Sequence, residues 1–201
     1  MCSPTQKSWT KLKHIARYLV GCPRLVHEYK FQEHCDLDTY VDSDYAGDFM
    51  SRKPTSGGCI MRGTHLFKHW SNNQSVIALS SAESELDGIV TGATQTLGMQ
   101  SISWDLPVEV VEMTPHTDSA AAKGACERKG LGKVRHFALS GLRIQDKIRS
   151  RAIHLSKVEG AKNPADVLTK HVEGHKVRTH LAAMQTRPAV GRAQGAPALG
   201  S

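Results

Sequence analysis

Aromatic residues are scarce in this 201-residue chain, three Trp, four Tyr and four Phe making up 5% of it, and a core so poor in its largest side chains is expected to have a modest stability margin. Cysteine is also sparse: Cys2, Cys22, Cys35, Cys59 and Cys126 are odd in number and far apart. That spacing excludes a disulfide scaffold and the C-x-x-C pairs of zinc and redox sites, and it predicts buried or incidental thiols. No apolar run approaches the ~18 residues a spanning helix needs. The first ten residues are polar and lack the apolar segment of a secretory signal, so a reducing compartment is expected, cytoplasmic or nuclear. No repeat period is present.

What the chain does contain is 39% hydrophobic and 22% charged residues, the balance of a globular domain rather than a charged disordered tail. At ~100–200 residues per domain, one core is expected. The net charge of +7 is unevenly spread. Residues 123–151 hold nine Lys and Arg against Glu127 and Asp146, and residues 174–201 add four with no acid, leaving 13 basic against 17 acidic residues elsewhere. A basic segment on an acidic body points to a polyanion, because clustered Lys and Arg gain counterion-release free energy on phosphates. The competing reading is a solvated helix face.

Along the chain, Trp9, Leu12, Ile15, Ala16 and Leu19 recur at helical steps over residues 8–19, before Gly21 and Pro23. Residues 31–42 turn extended, with Leu37, Thr39 and Val41 alternating against Asp36, Asp38, Tyr40 and Asp42. Residues 59–61 and 66–70 read as a hairpin around Arg62, Gly63 and Thr64. The clearest helix spans 80–98, where Ala82, Leu86, Ile89, Val90, Ala93 and Leu97 form one stripe and Ser80 and Glu83 have the spacing of a capping box. A strand over 113–117, a short helix over 120–125, a helix over 135–150, a strand over 153–158 and a last short helix beginning at Asn163 and Pro164 follow. Three strands in a run and then alternation predict an α/β fold, a mixed sheet covered by helices. Residues 1–30 are expected to be an N-terminal helix and linker, 31–173 the main domain, and 174–201 a basic, disordered tail.

Four acids close or open these elements: Asp42 and Asp118 at strand ends, Glu85 in the first turns of the main helix, and Asp166 in the last helix. Strand ends of an open α/β sheet converge on one edge, so carboxylates distant in sequence can meet there. Several hard oxygen ligands suit Mg²⁺ or Mn²⁺, and two such ions ~3.5–4 Å apart support in-line phosphodiester displacement. The bland alternative is four unrelated surface acids among 19 Asp and Glu.

Several ordered segments then carry a resemblance: Tyr40-Val41-Asp42-Ser43-Asp44-Tyr45-Ala46-Gly47-Asp48, Arg52-Lys53-Pro54-Thr55-Ser56-Gly57-Gly58, Trp70-Ser71 with Gln74, Ala78-Leu79-Ser80-Ser81-Ala82-Glu83-Ser84-Glu85, Thr117-Asp118-Ser119, and Ala165-Asp166-Val167-Leu168-Thr169-Lys170. From about Trp9 to His171 the chain resembles the ribonuclease H domain at the C-terminal end of copia-type retrotransposon polyproteins. The resemblance implies a ribonuclease H-like mixed five-stranded sheet flanked by helices. It also implies two Mg²⁺ or Mn²⁺ ions on Asp42, Glu85, Asp118 and Asp166, and cleavage of the RNA strand of RNA·DNA hybrids. A reverse transcriptase domain of the parent polyprotein is the implied partner, and no membrane is. Glu83 and Glu85 flank the same apolar stripe; the capping box and the Glu-Leu pattern of related ribonucleases H favour Glu85. The chain departs from the family at Tyr45, Ser119, the Arg135-His136-Phe137 segment and His171, none of them an expected ligand. A remnant without activity that keeps the fold and binds nucleic acid is the alternative.

Lys123, Lys129, Lys133, Arg135, His136 and Arg143 are the candidate duplex-binding face, reading backbone and 2′-OH rather than base edges. His136 could touch phosphate or assist proton transfer, against the plainer reading of a histidine at a helix start. His27, His34 and Cys35 lack a fourth zinc ligand. Ser80 and Ser81 lack the G-x-S-x-G elbow of a nucleophile and are explained by capping. Trp70, Trp104 and Tyr45 could stack on bases, although core packing is favoured for Trp70.

Overall fold

The computed structural model describes residues 4–33, 36–45, 47, 51–106, 112–130 and 139–195. They fall into two units, one from the two ends of the chain and one spanning Tyr29–Gln185.

In the unit formed by the ends, Thr5 caps helix α1 (Gln6–Gly21), its side chain accepting from Ser8 N at 3.1 Å. No residue of α1 is buried, and Trp9, Ile15 and Leu19 are exposed. Strand β1 (Arg24–His27) pairs antiparallel with β7 (Thr186–Ala189), and Thr186 Oγ1 and His27 Nδ1 share a hydrogen bond of 2.8 Å.

The larger unit is built on five strands: β2 (Leu37–Asp44), β3 (Thr55–Arg62), β4 (His65–Asn73), β5 (Met113–Thr117) and β6 (Ser156–Lys157). Their spatial order is β4-β3-β2-β5-β6, antiparallel through β4, β3 and β2 and parallel through β2, β5 and β6. This is the mixed five-stranded sheet expected. Alternation in β2 buries Leu37, Thr39 and Val41 on the face covered by α2 (Ser81–Trp104), where Leu86 and Ile89 are fully buried. Each such aliphatic side chain contributes roughly 1.5–3 kcal/mol relative to exposure. Close seating of α2 requires Gly92, since a Cβ there would collide with Val41 Cγ1. Helices α3 (Ala120–Glu127) and α4 (Leu139–Arg149) complete this side, with Ala122, Cys126 and Ile144 in its core.

Several boundaries differ from expectation. Helix α2 runs through Gly98 to Trp104 because Met99 packs on the core and Ser103 is buried, which offsets the ~1 kcal/mol a helical glycine costs. Strand β6 is only two residues long, although His154 N donates to Met113 O at 3.1 Å and Val158 N to Thr117 O at 3.0 Å on either side of it. Pro164 precedes the last short helix, α5 (Asp166–Thr169), rather than opening it; Asn163 Oδ1 instead accepts from Ala165 N at 3.1 Å.

The expected tail is corrected. Residues 174–183 form helix α6 (Gly174–Ala183), because Leu181 and Met184 pack with Cys59, Met61 and Leu66 on the sheet face opposite α2, and Thr186–Ala189 is strand β7, paired with β1. Two isolated apolar residues make no visible period, yet they suffice once a sheet face is there to receive them. Trp70 is core, as favoured, whereas Tyr45 and Trp104 are exposed. Burial pushes the thiols of Cys59 and Cys126 up to about 12, so both stay protonated and inert. Among the described residues no helix is long and apolar enough to cross a membrane.

Candidate metal centre

The parallel pairing of β2 and β5, with Tyr40 opposite His116, carries Asp42 and Asp118 to the same edge of the sheet. Helix α2 starts above that edge and projects Glu85 from its second turn. One oxygen from each of Asp42, Glu85 and Asp118 lies within 4.8 Å of the others. It is the only such His, Cys, Asp or Glu group of three among the described residues. Of the two glutamates considered, Glu83 does the capping: its N donates to Ser80 Oγ at 3.2 Å and its Oε2 accepts from Leu79 N at 2.7 Å.

Asp166 stands beside this trio rather than in it, joined through Lys170. The Lys170 Nζ lies 3.1 Å from Asp166 Oδ1 and 3.3 Å from Asp42 Oδ1, while Thr169 Oγ1 donates to Asp42 Oδ2. Helix α5 can lie this close to β3 because Gly57, which faces Asp42 in the register, has no side chain; a Cβ there would stand 2.7 Å from Thr169 Cγ2.

Two buried amides fix the backbone behind the acids. Gln74 Nε2 donates to Ser43 Oγ at 3.1 Å, Ser56 Oγ at 2.8 Å and Ser84 O at 2.8 Å, tying the neighbours of Asp42 and Glu85 together. Asn163 Nδ2 donates to Val41 O at 2.9 Å, tying the strand at Asp42 to the segment that enters α5.

The electrostatics follow from crowding. Glu85 is only 9% exposed and its Oε2 is buried with no hydrogen-bond partner. Burial, and then Asp42, Asp118 and Asp166, push its carboxyl up to about 8, against the opposing pull of Lys170. Burial and then Asp42 likewise raise Asp118, again against Lys170. For Lys170 burial works the other way, but Asp42 and Asp166 outweigh it and hold the ammonium above its ordinary value. Hard oxygen donors in number, one of them buried and unpartnered, suit a divalent cation such as Mg²⁺ or Mn²⁺.

The basic residues singled out in the sequence are not drawn into this cluster. Lys123 pairs with Glu127 one turn along α3, Lys129 and Arg143 are exposed, and Lys133, Arg135 and His136 lie outside the described residues. His34 and Cys35 of the rejected zinc set lie outside them too. Conversely, the sequence marked Gln74, Thr169 and Lys170 only as part of the segments carrying the resemblance and Asn163 only as a helix start, and gave none of them a part in the site. Asp166 and Lys170 do stand at the i, i+4 spacing of a helical ion pair, a signal that was there to find. Gln74 sits in a connecting segment, where no apolar period marks it as buried.

No protein-family model matches the chain. It is 27% identical over 172 residues to the retrovirus-related Pol polyprotein from transposon RE2 of Arabidopsis thaliana, covering 85% of this chain and 12% of the relative. A similar polyprotein from transposon TNT 1-94 of Nicotiana tabacum is 24% identical over 175 residues, 87% of this chain and 13% of that one. The relatives are retrovirus-related Pol polyproteins of transposons. The chain spans about an eighth of their length. Among solved structures, LC11-RNase H1 in complex with an RNA/DNA hybrid matches at a TM-score of 0.48 and 16% identity, over 67% of this chain and 94% of that one. The N-terminal RNase H domain of a Mycobacterium tuberculosis protein matches at 0.45 and 12%, over 74% and 98%. These superpositions are loose, and the architecture is read from the strand order and register given above.

Proposed function

We propose that this chain is the ribonuclease H portion of a transposon Pol polyprotein, a divalent-metal-dependent endonuclease that cleaves the RNA strand of RNA·DNA hybrids in the cytoplasm or nucleus. The observation that carries the reading is the meeting of Asp42, Glu85 and Asp118, from three separate elements, within 4.8 Å at one sheet edge. Asp42, Glu85, Asp118 and Asp166 would hold two Mg²⁺ or Mn²⁺ ions. When bound, such ions supply an activated water and stabilise the leaving oxygen of a phosphodiester.

The protein's own part is preorganisation. Thr169 orients one oxygen of Asp42, Gln74 and Asn163 pin the backbone on which Asp42 and Glu85 stand, and Lys170 partly neutralises the acids before any ion arrives. Burial and the neighbouring acids favour the protonated form of Glu85 in the ion-free site, and as a ligand Glu85 would have to be deprotonated. Lys123, Lys129 and Arg143, with Lys133, Arg135 and His136, form the proposed duplex-binding face, gripping phosphate and 2′-OH groups. The proposed partner, besides the hybrid, is the reverse transcriptase domain of the same polyprotein.

The test is cleavage of a labelled RNA·DNA hybrid with and without Mg²⁺ by the wild type and by Asp42→Asn. Metal-dependent cleavage by the wild type alone is expected. Equal residual cleavage by both proteins removes the enzyme reading and leaves the inactive remnant.

A further inference from the structure

Lys170 is a cation in a place where a metal ion is expected. It follows α5 as an extended residue (φ −134°, ψ 160°), its own N–H donating to Asp166 O at 3.2 Å, so the backbone of α5 aims its side chain back over the acids. The ammonium bridges Asp42 Oδ1 and Asp166 Oδ1 at 3.3 and 3.1 Å. With Thr169 on Oδ2, both oxygens of the buried Asp42 carboxylate are occupied by the protein itself. Asp42 is 1% exposed but Lys170 is 43% exposed, so the ammonium closes the mouth of the site with one side open to solvent.

A divalent ion at contact with Asp42 Oδ1 would displace the ammonium from it, because the repulsion between the two cations exceeds the ammonium's own attraction to a single carboxylate while the ion's attraction exceeds both. A lysine side chain, a point charge on a flexible four-carbon stem, can leave without disturbing the backbone. We propose that Lys170 is an exchangeable counter-cation: it holds Asp42 and Asp166 together in the ion-free protein and withdraws into solvent when a divalent ion takes its carboxylates. This rests on reading the acids as a metal centre. Its consequence is that Lys170 weakens metal affinity while stabilising the ion-free fold, the reverse of a residue that merely buttresses the ligands.

The experiment is Mn²⁺ titration of the full chain by calorimetry and by electron paramagnetic resonance, with melting curves, for the wild type, Lys170→Met and Lys170→Arg. Lys170→Met should bind Mn²⁺ at least about ten-fold more tightly, melt at a lower temperature without metal, and gain more from its addition. Lys170→Arg, whose planar fork can bridge two carboxylates, should bind Mn²⁺ no more tightly than the wild type. If the wild type binds Mn²⁺ and Lys170→Met binds it equally or more weakly, Lys170 is a fixed support and the proposal falls. If neither binds it, the metal-centre reading falls with it. Should Lys170→Met fail to fold, Lys170→Gln carries the same comparison.

Discussion

The candidate site has two unlike halves. On one side the Thr169 hydroxyl and the Lys170 ammonium engage both oxygens of Asp42, and the ammonium also lies 3.1 Å from Asp166 Oδ1. On the other, Glu85 and Asp118 form no ion pair among the described residues, Glu85 Oε2 lacks a hydrogen-bond partner there, and both carboxyls are pushed upward. The difference teaches how such a site survives folding. On one side a lysine ammonium offsets the carboxylate charge, and on the other burial and the neighbouring acids favour the protonated form.

The largest effect should come from breaking the engaged half. Asp42→Asn should lower metal-dependent hybrid cleavage by at least about a hundred-fold, the scale of losing a preorganised electrostatic group, with the melting temperature as a control for folding.

Next comes the frame that holds the halves in register. Gln74→Leu leaves Ser84 O and two serine hydroxyls without their donor in a buried place, and should destabilise the fold by about 1–3 kcal/mol in urea unfolding. Gln74 ties both halves, so Mn²⁺ affinity should fall as well; an unchanged affinity would confine Gln74 to stability. Gly57→Ala should cost about 1–3 kcal/mol through overpacking against Thr169 and Leu168, and should loosen the Asp42 half alone.

The unpaired half is sharpened by pH. The folded-state carboxyl of Glu85 titrates at about 8 against an ordinary value of 4.5, so the folded protein binds the proton more tightly than the unfolded chain does. Its contribution to stability is therefore fully present below about pH 4.5 and is lost as pH rises towards 8. Unfolding of the metal-free protein at a series of pH values should show this decline, and Glu85→Gln should flatten it. The smallest effect is expected at a distance from both halves. Lys123→Gln removes a surface pair with Glu127 worth at most about 1 kcal/mol, but should lower the salt slope of hybrid binding by about one if Lys123 contacts phosphate.

Much of the fold was legible because periodicity reports burial. The alternation of Leu37, Thr39 and Val41, the stripe Leu86, Ile89, Val90 and Ala93, and the Ser80 and Glu83 cap each appear in the structure where the pattern put them. Helix α6 was missed because its burial depends on a few side chains, Leu181 and Met184 among them, that mean nothing until a sheet face meets them, and strand β7 because its partner β1 is about 160 residues away in the chain. The acids were legible as a set of residue types at element ends, and the choice of Glu85 followed from giving Glu83 another task.

Local pattern by itself determined the strands of the sheet, the main helix and the kinds of side chain available for chemistry, since those depend on neighbours a few residues apart. Only the tertiary structure decided that Asp42, Glu85 and Asp118 share one small volume, that Asp166 reaches them through Lys170, and that Gln74 and Asn163 brace them. Those relations join residues separated by as many as 128 positions, and such distances are closed by strand register and helix seating, which no local period encodes.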